Sequence, residues 1–454
     1  MRVALINPNW SFDGSIYFGC REPHLPLEFG YAEALLRASG HEARMLDCDL
    51  YDTNTADLAQ EMGAFAPEMI VVTTAPTYLF WRCPPPELRV PQEVFRALAC
   101  VDAIRVAVGP HGSATPRAVI EKLGVDVVVM GECEETLVRL AGSSALDRLQ
   151  GIAFRDGDRV RVNGGPQAAA FAPAPALVWP ESWISHHDHH HHRFDAAPVG
   201  PGAEVEASRG CPYRCTFCAK ENFRDLYRRR ALPALLAEID GLLAQGVRYL
   251  YFIDEIFLPN RPLLLALAER DVAFGVQTRV DLWKPEMLEL LGRAGCVSIE
   301  AGVESLSVEG RALLAKDCRV DTDTLTDRLI YAKQFVPFVQ GNLIGLPGDD
   351  AATIRGWRDK LRDHGVWAND PVPLFPYPGS PEYRKLFGNA DEQAWERAHH
   401  HYLAAFSRMS ELQDSRPQPL CELEHAPPQP PQEQSRQPFR QPSGRPFQQP
   451  SGQP

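Results

Sequence analysis

No apolar run in the 454-residue chain reaches the roughly 18 residues that a membrane-spanning helix needs, so no such helix is expected. Basic charge is in deficit as well: 46 Lys and Arg stand against 59 Asp and Glu, a net charge of -13. A general nucleic-acid binder draws its affinity from a basic face, so no nucleic-acid partner is expected. The start, "MRVALINPNW", has no charged region ahead of a long apolar stretch. It is read as a first strand and not as a signal peptide. The eleven cysteines are an odd number and are scattered except for one cluster. Without a secretory signal, that usage favours reduced thiols and a metal site over a disulfide framework. The expected setting is the cytoplasm.

What is present is a long alternation of two periodicities. Up to residue 145, apolar strand-like runs ("RVALINPN", "EMIVVTTAP", "IRVAVGPHG", "DVVVMGECEE") alternate with amphipathic helical segments such as "PLEFGYAEALLRASG". That order predicts a Rossmann-like, doubly wound parallel sheet in residues 1–145. Residues 146–200 read as a linker holding a hairpin ("GIAFRDGDRVRVN") and a His-rich stretch. A second α/β series over 201–385 has about six βα units and predicts a partial (β/α)6 barrel of TIM type, with its chemistry at the carboxyl ends of the strands. A helical segment is expected over 386–414. From 415 to 454 the chain is rich in Pro, Gln, Ser and Gly and is expected to be disordered.

"RGCPYRCTFC", at residues 209–218, holds Cys211, Cys215 and Cys218. Three thiolates on a cubane [4Fe-4S] cluster leave one iron without a protein ligand. Four would close that site, and two would hold the cluster poorly. An open iron can bind the amino and carboxylate end of S-adenosylmethionine and place its sulfonium beside a one-electron donor. Zinc, with a histidine completing the set, is the rival reading of the same thiols, and a thiol-containing loop with no metal is the bland one.

The context of the motif, after a strand and at the head of a βα series, with Phe217 directly before the last cysteine, resembles the radical S-adenosylmethionine superfamily. The order of the two halves resembles its cobalamin-binding subgroup. The resemblance spans about residues 1–385 and is similar to a subset with a His-rich segment ahead of the cysteines. It implies that Asp254 and Glu255 of "FIDEIF" contact the ligand's amino group, although the common Gly-Gly-Glu form is absent. It further implies that Glu300, Glu304 and Ser305 of "SIEAGVES" lie near ribose and methionine, and that Gly345 of "GNLIGLPGDD" lies near adenine. Gln277 and Arg279 of "QTRVD" point to one face by strand alternation.

In the N-terminal half the same resemblance makes Asn7, Thr73, Thr74, Gly109, His111, Gly131 and Glu132 candidate cobalamin contacts, each in a loop after a strand. The Asp-x-His-x-x-Gly pattern that supplies a lower cobalt ligand elsewhere is absent, so His111 need not ligate cobalt. Trp81, Arg82 and Cys83 are candidates to cover the corrin or line a substrate path. The resemblance implies an enzyme acting on a small molecule, most commonly by methylating an unactivated carbon through a 5'-deoxyadenosyl radical and methylcobalamin. A flavodoxin or ferredoxin is the implied reductant. Radical rearrangement or cyclisation without methyl transfer is the alternative, and a zinc- or nickel-binding module is the non-enzymatic one.

Two motifs remain. The run "HHDHHHHRFD", from His186 to His192, reads as a metal site, a substrate-facing segment or a tolerated loop. Arg228, Arg229 and Arg230 read as a solvated basic patch at a helix start, with pairing to a phosphate or carboxylate as the other reading.

Overall fold

The computed structural model describes residues 1–16, 23–77, 82–143, 145–187, 200–406 and 417–425. Trp81, the run 188–192 and the tail from 426 lie outside the described residues. The first sheet is built from β1 (Arg2–Asn7), β2 (Glu42–Asp47), β3 (Met69–Thr73), β4 (Ile104–Val108), β5 (Val127–Val129), β6 (Ile152–Asp156) and β7 (Arg159–Asn163). Its order is β2-β1-β3-β4-β5-β6-β7. The first five strands are parallel, and β6 and β7 add on antiparallel. The hairpin expected in the linker therefore extends this sheet: Val127–Val129 on β5 pair with Phe154–Ile152.

Burial on both faces explains the unbroken apolar runs. All of β3 and β5 is buried. Alternate residues serve two cores. Ala4, Ile6, Ile70 and Val72 pack among helices on one face. Val3, Leu5 and Val71 belong to a core continuous with that of the second half. The strand order reverses between β1 and β3, and ligands of open α/β sheets bind at such a reversal. Asn7 and Thr73 end those two strands.

The second sheet contains β8 (Gly202–Val205), β11 (Tyr249–Phe252), β12 (Ala273–Thr278), β13 (Cys296–Glu304), β14 (Phe338–Gly345), β15 (Trp367–Ala368) and β16 (Val372–Pro373). All its pairings are parallel, in the order β15-β14-β13-β12-β11-β8, with β16 also on β14. The edges β8 and β15 do not meet, so the barrel stays open. A two-stranded ribbon, β9 (Ser208–Arg209) with β10 (Arg228–Arg229), projects between β8 and the helix Leu232–Ala244.

The chain past residue 385 returns to the first half. Trp395, on the helix Ala394–Phe406, packs tilted against His111 with ring centroids 4.3 Å apart and donates from Nε1 to Thr115 Oγ1 at 3.1 Å. Residues 417–425, expected to be disordered, are instead docked, with a helix over Leu420–His425. Leu420 and Leu423 are buried, and Glu424 pairs with Lys122 at 2.8 Å. Two leucines in a Pro/Gln-rich context supply the apolar burial that composition alone did not predict. No described helix is long and apolar enough to cross a membrane.

Candidate active site

The cysteine loop follows β9 at the carboxyl end of β8. Gly210 opens it with φ +76, and a Cβ there would stand 2.1 Å from Leu226 O. Only glycine fits that combination of left-handed backbone and close approach. Backbone ties then hold the loop: Gly210 N–H donates to Glu255 Oε2 at 2.7 Å, Thr216 N–H to Leu314 O at 2.9 Å, and Glu382 N–H to Thr216 O at 2.9 Å. The buried Lys220 donates from Nζ to Cys211 O at 2.5 Å.

Cys211, Cys215, Cys218 and Phe217 are all half-buried. Burial raises the three thiols, Cys218 to about 12, and the neighbouring Cys211 and Cys215 push it further up. The three therefore lie within electrostatic reach of one another. Among the described residues, no three His, Cys, Asp or Glu side chains converge on a single ion. Two sulfurs on one zinc stand about 3.8 Å apart, whereas thiolates on a cubane each take a different iron and stand wider. The donor set fits the cluster: three thiols on one short, braced loop, with no fourth cysteine in it.

The strand ends around that loop carry the other candidates, in three groups. Gln277 and Glu300 are register neighbours on β12 and β13, and Gln277 Nε2 donates to Glu300 Oε2 at 2.9 Å. Arg82, from the loop after β3 of the first sheet, reaches this group. It donates to Gln277 Oε1 and, at 3.0 Å, to Glu255 O. Cys83, which is exposed, follows it in the chain.

Glu304 forms the second group. It takes φ +67, rare for a side-chain-bearing residue, and accepts from the buried Lys316 Nζ at 3.0 Å. A Cβ on Gly302 would lie 2.3 Å from Glu304 Oε1, so that glycine makes room for the carboxylate. Arg279 stacks on Tyr213 of the cysteine loop at 4.0 Å and pairs with Asp281 at 2.7 Å. Ser305 is buried beside Ser307, and Gly345 ends β14 half-buried.

Asp254 and Glu255 form the third group, and both already have partners. Asp254 accepts from Ala207 N–H at 2.8 Å and from Ser208 Oγ. Burial raises its carboxyl to about 8, against those two hydrogen bonds. Glu255 takes Gly210 N–H on one oxygen and Arg224 Nη1 on the other, the latter at 2.6 Å.

In the first half, Asn7 Nδ2 donates to Asp47 Oδ1 at 2.7 Å, and Asn7 Oδ1 accepts from Trp10 Nε1 at 2.9 Å. Thr73 Oγ1 turns back to Ala75 O. Gly109 has φ +127, and a Cβ there would lie 2.4 Å from Thr74 Oγ1. Gly131 approaches Gln167 so closely that a Cβ would lie 2.2 Å from its carbonyl oxygen. His111 is fully buried under Trp395, and burial lowers it to about 3, so its ring is neutral. That cover sets the ring into packing with the C-terminal helix.

Glu132 is occupied elsewhere as well. Its buried carboxylate accepts from Arg228 at 2.9 Å and faces Arg209 and Arg224 at 3.4 and 3.8 Å. The reading of Arg228–Arg230 as a solvated patch is corrected for two of the three. Arg228 pairs with Glu132, and Arg230 is buried against Glu238 at 2.6 Å. Only Arg229 is exposed.

Sequence reasoning missed Glu134, Glu206, Arg209, Arg224, Lys220 and Lys316. Arg209 and Lys220 flank the cysteine motif, which was the one available signal.

Comparison with known proteins accords with this arrangement. The family model of the radical SAM superfamily matches residues 205–361, and that of the B12 binding domain matches 21–141. The chain joins a B12 binding domain to a radical SAM domain. It is similar to the anaerobic magnesium-protoporphyrin IX monomethyl ester cyclase of Cereibacter sphaeroides, at 26% identity over 83% of this chain. It spans 63% of that cyclase's length. The tryptophan 2-C-methyltransferase of Streptomyces laurentii is 24% identical over 80% of this chain and 70% of its own. The radical S-adenosylmethionine methyltransferase TsrM of Kitasatospora setae, solved with cobalamin and a [4Fe-4S] cluster bound, shares the fold. Its TM-score is 0.65 at 20% identity, over 84% of this chain and 76% of that one.

Proposed function

We propose that the chain is a cobalamin-dependent radical S-adenosylmethionine enzyme that methylates an unactivated carbon of a small-molecule substrate. The observation that carries this is the joining of the two halves. A loop with three cluster-competent thiols opens at the barrel mouth, and the switch-point sheet is docked on it through Arg82 and a shared core. With its cofactors bound, such a site supplies an electron that splits S-adenosylmethionine into methionine and a 5'-deoxyadenosyl radical, and a cobalt-held methyl group to be passed on.

The protein's own part is binding, orientation and exclusion of water. Cys211, Cys215 and Cys218 hold the cluster. Glu304 and Ser305, with Gln277 and Glu300, offer acceptors and donors to the nucleotide's polar groups. Asn7, Thr73, Thr74, Gly109 and Gly131 line the crevice of the first sheet, where small residues let a flat macrocycle or its tail approach. Arg82, which joins the two halves through Gln277 and Glu255, and the adjacent Cys83 are the residues we assign to the substrate path. A flavodoxin or ferredoxin delivers the electron, which places the reaction in a reducing, cytoplasmic setting.

Product analysis tests the reading. The anaerobically reconstituted chain, given S-adenosylmethionine and candidate small molecules, is expected to yield a methylated product and S-adenosylhomocysteine. The 26% identity to a cyclase favours ring formation or rearrangement as the second reading. A product without a new methyl group, and no S-adenosylhomocysteine, would select it.

A further inference from the structure

A connected network of buried charge lies at the seam between the two halves. Arg209 Nη1 donates to Glu134 Oε1 at 2.7 Å and faces Glu132 Oε2 at 3.4 Å; both acids lie just after β5. Its Nε and Nη2 donate to Glu206 Oε2 at 3.0 and 2.8 Å. The other Glu206 oxygen accepts from Arg224 Nη2 at 2.6 Å. Arg224 Nη1 donates to Glu255 Oε1 at 2.6 Å, and Glu255 Oε2 accepts the amide of Gly210 at 2.7 Å. Arg228 closes the set on Glu132. The Arg209 guanidinium also lies over the rings of Tyr31, in the first half, and Phe171, in the segment after it, at 4.8 and 4.4 Å.

Arg209, Arg224, Glu132, Glu134 and Glu206 are each at most 2% exposed. Desolvating this many ions is costly, and a buried ion network is weak evidence for stability alone. What it supplies is a fixed geometry, since Arg209, Arg224, Glu132 and Glu206 are each held by at least two charged partners or rings. One end is the loop after β5, on the crevice side of the first sheet. The other end is the first amide of the cysteine loop.

We propose that this network is the positioning device that sets the cysteine loop against the crevice of the N-terminal half, with Glu132 and Arg209 as the pair that spans the seam. The inference deepens the function proposed above and rests on it for the identity of what is positioned. Glu132, Glu134 and Arg209 are positioning residues, acting through the loop they hold.

The test uses the full chain with Glu132→Gln, with Glu134→Gln, which touches Arg209 alone, and with the exposed Glu121→Gln as a control of equal charge change. In the metal-free protein, hydrogen exchange is followed at the amides of Gly210, Thr216 and Cys218, each hydrogen-bonded in the loop. Both network variants are expected to exchange there about tenfold to a hundredfold faster, as loss of one charged hydrogen bond implies. Glu121→Gln should match the parent. After reconstitution, pulsed EPR is expected to show a broader distribution of distances between the reduced cluster and cobalt(II) cobalamin in the network variants. A merely structural role would lower stability and leave that distribution narrow.

The inference is overturned if faster exchange stays confined to residues 131–142, or if folded variants keep the parent's distance distribution. If Glu132→Gln does not fold, Glu134→Gln carries the test. Iron, sulfide and cobalamin content of the unsubstituted chain is measured alongside. Failure to bind these cofactors would count against the proposed function, while the exchange measurement on metal-free protein still decides the inference.

Discussion

Gly210→Ala should disable the cysteine loop without touching a cysteine. The residue sits at φ +76, where a side chain costs about 1–2 kcal/mol. The new Cβ would also lie 2.1 Å from Leu226 O, 2.6 Å from its carbonyl carbon and 3.1 Å from Arg224 O. These are backbone atoms on the segment between two buried arginines, and they cannot swing aside as a flexible side chain would. Relieving such overpacking costs about 1–3 kcal/mol more. Together the two effects give about 2–5 kcal/mol, concentrated where Gly210 N–H reaches Glu255. Gly165→Ala, at a position with nothing within 4 Å and no left-handed backbone, is the neutral reference. The assay pairs thermal melting of the metal-free chain with iron and sulfide content after anaerobic reconstitution. Gly210→Ala should melt lower by several degrees and take up little iron, and Gly165→Ala should behave as the parent. An alanine variant with unchanged melting and full iron content would refute the argument from backbone approach.

Two further predictions follow from buried titrating groups. Asp254 is raised to about 8 in the folded chain from an ordinary carboxylate value, so the folded state holds its proton over a range in which the unfolded state has lost it. Its contribution to stability is full below about pH 4 and declines by about 1.4 kcal/mol per unit until pH 8. Asp254→Asn should flatten that slope in denaturant titrations at several pH values; an unchanged slope contradicts the assignment. Cys218, pushed up to about 12 by burial, should alkylate in the metal-free chain about a hundredfold more slowly at pH 8 than the exposed Cys100. Mass spectrometry of the modified peptides reads the ratio, and equal rates would show the thiol to be ionised or uncovered.

The parallel order of the second sheet and of the first five strands of the first was legible because apolar strands and amphipathic helices alternate, and the cysteine loop because its spacing is local. The seam was not. Arg209 meets Glu134 across 75 positions and Arg228 meets Glu132 across 96, and a buried glutamate reads in sequence like an exposed one. Sequence therefore offers Glu132 only as a cofactor contact, and reads all three arginines at 228–230 as solvated where Arg228 and Arg230 are paired. The hairpin 151–163 was legible as a hairpin, but its docking on β5 depends on an edge that sequence does not reveal. The short helix at 420–425 was hidden by its surroundings: composition averages over a window, while two buried leucines and one ion pair to Lys122 decide the local outcome. Gln277 and Arg279 were legible as sharing one face of a strand, but the pairing of Gln277 with Glu300 depends on the register of β12 on β13, which sequence does not reveal.

The central claim is that three thiols hold a cluster with one iron open to S-adenosylmethionine. It is tested most directly by reconstituting the full chain without oxygen to about four irons and four sulfides, reducing it strongly in the presence of candidate substrates, and following the nucleotide. The account predicts consumption of S-adenosylmethionine with release of 5'-deoxyadenosine, abolished in Cys211→Ala, Cys215→Ala and Cys218→Ala. A fully assembled, fully reduced cluster that leaves the nucleotide intact would contradict it.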